Sequence, residues 1–141
     1  MEGDDYFFLS AEEFTKRRDN GEFLECKNYA GNWYGTLQSQ VATGLAAGKW
    51  VLLEIDVAGT LAVLDKHPDT LTIFLHSGSI EELERRLRLR NTETEEKIQR
   101  RLEVARQELA FVDRYRHQVI NRDVQDAVRE ICNILIQNAK E

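Results

Sequence analysis

Proline is almost missing from this chain. Pro68 is the single one among 141 residues, which excludes a proline-rich disordered protein. Cysteine is nearly as scarce: Cys26 and Cys132 are too few for a disulfide framework or a zinc cage. The three histidines, His67, His76 and His117, lack metal-ligand spacing, so no metal site of the protein's own is expected. Long apolar runs are absent too. The longest stretch, Trp50 to Leu64, is broken by Glu54 and Asp56, and nothing here would span a membrane. The first residues, Met-Glu-Gly-Asp-Asp, are acidic and carry no apolar core of a secretory leader, so a cytoplasmic location is expected. Net positive charge is lacking as well. The balance of −6 argues against general nucleic-acid binding.

What is present fits one folded domain, with 42% hydrophobic and 31% charged residues. Three boxes mark helix starts: Ser10-Ala11-Glu12-Glu13, Ser79-Ile80-Glu81-Glu82 and Thr92-Glu93-Thr94-Glu95. In each, the hydroxyl accepts a free backbone N–H and the Glu three residues on returns the bond. The first helix should stop near Gly21, and another should run from about Leu37 to Gly48. Residues 22–34 read as two strands around Ala30-Gly31-Asn32. Three short apolar runs follow: Val51–Ile55, Leu71–Leu75 and Gln118–Ile120. Their unbroken hydrophobicity predicts strands of a parallel sheet buried on both faces. The longest helix should run from Glu95 to about Tyr115, with Ile98, Leu102, Ala105, Leu109 and Val112 on its core face. A last amphipathic helix should cover Asp123 to about Asn138.

No Gly-x-x-x-x-Gly-Lys-Ser/Thr or Gly-x-Gly-x-x-Gly motif occurs in the sequence. Gly44–Lys49 has some of the right letters, but it ends a helix and Trp50 stands in the hydroxyl position, so it reads as a helix C-cap. Two features carry more chemistry. Glu54-Ile55-Asp56 ends a predicted strand, where open α/β sheets bind ligands, and alternation puts both carboxylates on one side. They read equally well as ligand-binding acids or as a solvated strand end. Arg86, Arg90, Arg100 and Arg101 form the second feature. Guanidinium forks suit phosphate oxygens. Yet glutamates at 81, 82, 84, 93, 95 and 96 surround them, and composition alone favours a solvated ion-pair face.

Taken in order, several segments form one pattern. They are Asp5-Tyr6-Phe7-Phe8, Gly21–Glu25, Gly31-Asn32-Trp33-Tyr34-Gly35-Thr36 and Leu53–Asp56, then Leu83–Leu87, Arg90–Glu96 and Val119-Ile120-Asn121. This pattern closely resembles guanylate kinase, a nucleoside monophosphate kinase. The resemblance implies an α/β fold: a P-loop-NTPase-like parallel sheet with helices on both faces, here missing its first strand, plus a small β-rich GMP-binding insert. Residues 1–141 would form one domain lacking its N-terminal part, with the insert at 4–36, and core and lid at 37–141, the lid at about 86–101.

The implied reaction is phosphoryl transfer from ATP to GMP, giving ADP and GDP, with Mg²⁺ accompanying ATP. By resemblance, Tyr6 and Tyr34 hold the GMP phosphate, Glu25 accepts from guanine N1 and N2 hydrogens, Thr36 lies near O6, and Asp56 stands near the base. Arg86, Arg90 and Arg101 correspond to the arginines that close over the transferred phosphoryl group, and Asn121 to the residue beside adenine. Phe7 and Trp33 are expected to pack, not to bind ligand. The family's opening strand, phosphate loop and GMP-clamping arginines have no counterpart in these residues. Ala58 replaces a glutamine, His76-Ser77-Gly78-Ser79 an apolar-Pro-Pro-Ser corner, Asn91 a glycine and Arg122 an aspartate. Without the first strand, unpaired sheet edges would favour self-association. The alternative reading is a non-catalytic module that binds GMP or a protein partner through the same face.

Overall fold

A computed structural model describes residues 7–140. The chain divides between Thr70 and Leu71 into two compact units.

The first unit opens with α1 (Ala11–Asp19). Ser10 caps it by accepting from the Glu13 N–H at 3.1 Å. Glu13 does not return the bond as expected of a reciprocal box. Its carboxylate accepts from Arg17 one turn on, at 2.9 Å, an i,i+4 pair that competes for the same oxygens. The hairpin follows as expected, with β1 (Phe23–Tyr29) antiparallel to β2 (Asn32–Leu37). Ala30 and Gly31 turn the chain with φ of 50° and 82°, the left-handed pair that a tight hairpin needs.

One irregularity shapes the hairpin. Phe23 faces Leu37 but Glu25 faces Thr36, so a bulge sits between Phe23 and Glu25. Leu37 and Thr36 are neighbours and point to opposite faces. The bulge therefore sends Phe23 and Glu25 to opposite faces, although they are two residues apart. Phe23 stacks on Phe14 of α1 at 4.4 Å between centroids, with Trp33 tilted against Phe14 at 5.7 Å. Trp33 thus packs as expected, whereas Phe7 is 61% exposed. Gly35 lies beneath the Phe23 ring, where a Cβ would come within 2.7 Å of Phe23 Cδ1. The carbonyls of Phe23 and Leu24 accept from Lys66 Nζ at 2.8 and 3.0 Å, which satisfies backbone groups at the bulge.

Next come α2 (Gln38–Ala46), stopped at Gly48 with φ of 72°, and α3 (Val57–Lys66). Val51–Ile55 is not the buried strand that its apolar letters predict. Among the described residues it joins no ladder, and Leu52 is 85% exposed. A parallel strand exists only beside a neighbour, and this stretch has none to bond to. α3 buries Val57, Gly59, Thr60 and Val63 and packs against β1.

In the second unit, β3 (Ile73–His76) pairs in parallel with β4 (His117–Ile120). The parallel pairing expected of the second and third apolar runs is thus present. Between them lie α4 (Ile80–Arg90) and α5 (Glu95–Leu109). Ser79 caps α4 as expected, accepting from Glu82 N at 3.1 Å, while the Glu82 carboxylate turns to Arg85 and Arg86. α5 is capped by Thr94, not Thr92. Starting there leaves Glu93 outside the helix, where it meets Arg101 at 2.6 Å. α5 ends earlier than its periodicity implies, at Leu109, and a single 3-10 turn covers Val112–Arg114. Leu87, Ile98 and Leu102 form the core between α4 and α5, with Ile80 and Leu83 against it. Asn91 closes α4 in the left-handed conformation, φ 48°, which asparagine tolerates at a helix end better than most residues. The last helix, α6 (Val124–Lys140), is the longest.

Candidate active site

In the first unit, β1 and α3 with its N-cap line a cavity of about 270 Å³. Glu25, Cys26 and Lys27 line it from β1, Ala58, Gly59 and Ala62 from α3, and Asp56 from the residue that precedes α3. Glu25 and Thr36 are directly opposed on the hairpin, and Thr36 Oγ1 donates to Glu25 Oε1 at 2.8 Å. That bond fixes one carboxylate oxygen. The other, Oε2, points at Gly59, where a Cβ would come within 3.2 Å of it.

Asp56 is the N-cap of α3. Its Oδ1 accepts from Gly59 N at 2.8 Å, and its Oδ2 from Lys27 Nζ. Burial works against its ionisation. The Lys27 hydrogen bond, the Gly59 N–H and the Lys27 charge outweigh burial and hold the carboxyl below the ordinary aspartate value. Glu54, expected to join it, is exposed and does not line this cavity. The helix start explains the difference, because the chain turns into α3 at Asp56 and no longer alternates as a strand.

Tyr34 is opposite Lys27 in the ladder, on the face that carries Glu25 and Thr36, and is 43% exposed. Tyr6 lies outside the described residues. Lys27, Gly59 and Lys66 are the residues that sequence reasoning missed here. Lys27 had a readable signal, since it stands two residues after Glu25 on the same strand face.

The second unit has a separate cavity of about 310 Å³. Arg86 from α4 and Asn121, just after β4, both line it, together with Phe74, His76, Leu83 and Glu108. The structure thus brings Arg86 and Asn121 to one space. Arg90 and Arg101 are not among its lining residues. Arg86 Nε donates to Glu82 at 2.8 Å, and the Arg85 and Arg86 bonds hold the Glu82 carboxyl down at about 2. Arg90 is exposed with no ion pair among the described residues, and Arg101 is held by Glu93. The ion-pair reading of this region is therefore realised at Arg86, Arg100 and Arg101. At the β3–α4 corner, His76 Nε2 lies 3.0 Å from Gln118 Oε1, and His76 Nδ1 accepts from Gly78 N at 3.1 Å.

Among the described residues, no three His, Cys, Asp or Glu side chains converge on a metal position. No helix among them is long and apolar enough to cross a membrane.

The family model described as guanylate kinase matches residues 1–138. A guanylate kinase from Rhodopirellula baltica is 56% identical over 99% of this chain and 68% of its own length. One from Fusobacterium nucleatum is 45% identical over 99% of this chain and 76% of its own. The solved structure of guanylate kinase from Anaplasma phagocytophilum aligns with a TM-score of 0.75 at 29% identity, covering 98% of this chain and 67% of that one.

Proposed function

The chain belongs to the guanylate kinase family and has its α/β fold, and from that premise we propose that the cavity between β1 and α3 receives the base of GMP. The observation that carries this reading is the Glu25–Thr36 pair. Thr36 occupies one carboxylate oxygen and leaves Oε2 facing Gly59, whose missing side chain opens the space. A carboxylate only accepts hydrogen bonds, so it selects an edge with two adjacent donors. Guanine offers N1–H and N2–H there, and adenine does not. Asp56 would add a second acceptor at the cavity through the remaining lone pairs of its oxygens, and Tyr34 and Tyr6 would hold the phosphate. In this reading residues 4–36 are the GMP-binding insert, 37–141 the core, and about 86–101 the lid.

The reaction proposed is phosphoryl transfer from ATP to GMP. Asn121 would lie beside adenine. Arg86, Arg90 and Arg101 would stabilise charge spreading over the transferred phosphoryl oxygens. The shared cavity of Arg86 and Asn121 supports this. Mg²⁺ would enter with ATP, with phosphates and waters filling most of its shell, and would neutralise charge on the phosphate oxygens. Both Asp56 oxygens are already engaged, which fits an ion that would be carried by the nucleotide phosphates and not by this carboxylate.

The second reading is a module that binds GMP, or a protein partner on the same face, without turnover. Calorimetry with GMP and AMP, and a coupled assay of ADP release with MgATP, test both. Preferential GMP binding with GMP-dependent ADP release supports the kinase. GMP binding without release supports the module. Equal binding of GMP and AMP would overturn the base pocket.

A further inference from the structure

Glu82 holds the arginine of the second unit's cavity, yet Glu82 itself does not line that cavity. Ser79 caps α4 on the Glu82 N–H, which fixes the Glu82 backbone in the first turn. In a reciprocal box the carboxylate would return to the cap residue. Here it accepts guanidinium N–H groups from two arginines. Arg85 forks onto it, with Nε donating to Oε2 at 2.8 Å and Nη2 to Oε1 at 2.7 Å. Arg86 reaches the same Oε1 at 2.8 Å, through Nε alone. The two arginines are thus used differently. Arg85, 60% exposed, braces the carboxylate with two of its nitrogens. Arg86, 29% exposed, lines the cavity beside Asn121. Among the described residues, its Nη1 and Nη2 have no partner. That free edge is a pair of parallel donors, the shape that phosphate oxygens accept. A guanidinium already tethered at Nε loses less rotamer freedom when an anion docks on it.

We propose that Glu82 is a positioning residue for phosphoryl transfer: braced by Arg85, it holds Arg86 by Nε and leaves the Nη edge to the phosphates of ATP. This inference rests on the ATP reading of the cavity given above. Glu82 touches no substrate and acts through Arg86. The sign of its effect is opposite to that of its charge. By Coulomb's law alone, an acidic residue near a polyanion repels it, and removing the residue strengthens binding. Losing a positioned guanidinium weakens binding instead.

The test is binding of ATP, by calorimetry, and of adenosine, by ligand-observed NMR, to the full chain. The unaltered protein is compared with Glu82→Ala, Arg86→Met and the double variant. Glu82→Ala should weaken ATP binding about three- to tenfold and leave adenosine binding unchanged. In the Arg86→Met background the same substitution should cost nothing further, because no guanidinium is left to hold. An ATP affinity unchanged or raised in Glu82→Ala would overturn the inference and leave the ATP reading intact. So would an equal loss for adenosine, or a full further loss in the Arg86→Met background, since either marks a merely structural role. An unaltered protein that binds ATP no better than adenosine, or an Arg86→Met variant that binds ATP as before, would overturn the ATP reading and the inference with it. Should Glu82→Ala fail to fold, the NMR signal of the Arg86 Nε–H in the unaltered chain decides. Slowed exchange with water both before and after ATP is added supports the role, and free exchange in either state overturns it.

Discussion

Gly59 and Glu25 approach so closely that a methyl group would come between them: a Cβ on Gly59 would lie 3.2 Å from Glu25 Oε2 and equally close to Asp56 Oδ1. Both neighbours are ends of side chains, so the helix can absorb the change while the carboxylates cannot keep their places. Gly59→Ala should therefore lower GMP affinity about tenfold or more, and destabilise the fold by only about 1 kcal/mol. Calorimetry and urea unfolding on the same preparation separate the two effects.

Glu25→Gln tests the base pocket directly. The amide sets two donors against the donors of guanine, and the charge-assisted bonds are lost. The expected cost is about 1.5–3 kcal/mol of GMP binding, with AMP binding unchanged. The GMP preference over AMP should fall ten- to a hundredfold. A selectivity that survives the substitution would remove Glu25 from the site.

The hairpin turn holds a correctable strain. Ala30 has φ of 50°, a conformation that costs a residue with a Cβ about 1–2 kcal/mol. Asparagine tolerates it better and is favoured before glycine in such turns. Ala30→Asn should raise stability by about 0.5–1 kcal/mol without altering nucleotide binding, as read from thermal melts and calorimetry.

Asp56 gives a pH-dependent prediction. Its folded-state value lies below that of the unfolded chain, so its carboxylate contributes stability above about pH 4. That contribution disappears as pH falls through the lower folded value. Asp56→Asn keeps a side chain able to cap α3 but removes the charge. The stability gap between the two proteins should be constant above about pH 5 and shrink below pH 4. Because Lys27 is half exposed, the gap should also narrow in high salt.

Local signals explain which features were readable. The hairpin was legible because Ala30-Gly31 sits between two apolar, aromatic-rich arms, and Ser10 and Ser79 announced their helices as caps. The choice between Thr92 and Thr94 was invisible locally, because it depends on the tertiary pairing of Glu93 with Arg101. Val51–Ile55 misled for a related reason: strand character in a parallel sheet belongs to a pair of segments, and one segment's letters cannot supply the other. The resemblance named Glu25 and Thr36, but Lys27 differs from them in kind. It is a surface-type residue drawn into the site by alternation from Glu25 and by the helix start at Asp56.

The bulge between Phe23 and Glu25 has a consequence for how this protein can change. A regular strand ties every second residue to one face, so a stronger Phe14–Phe23 stack would also crowd whatever follows on that face. Here the phase reverses between the two residues. In the proposed reading, hydrophobic anchoring and nucleotide discrimination occupy opposite sides of one short strand. Substitutions that tune the durability of the α1 face can accumulate without altering which base is chosen, and the selectivity side can drift without loosening the anchor.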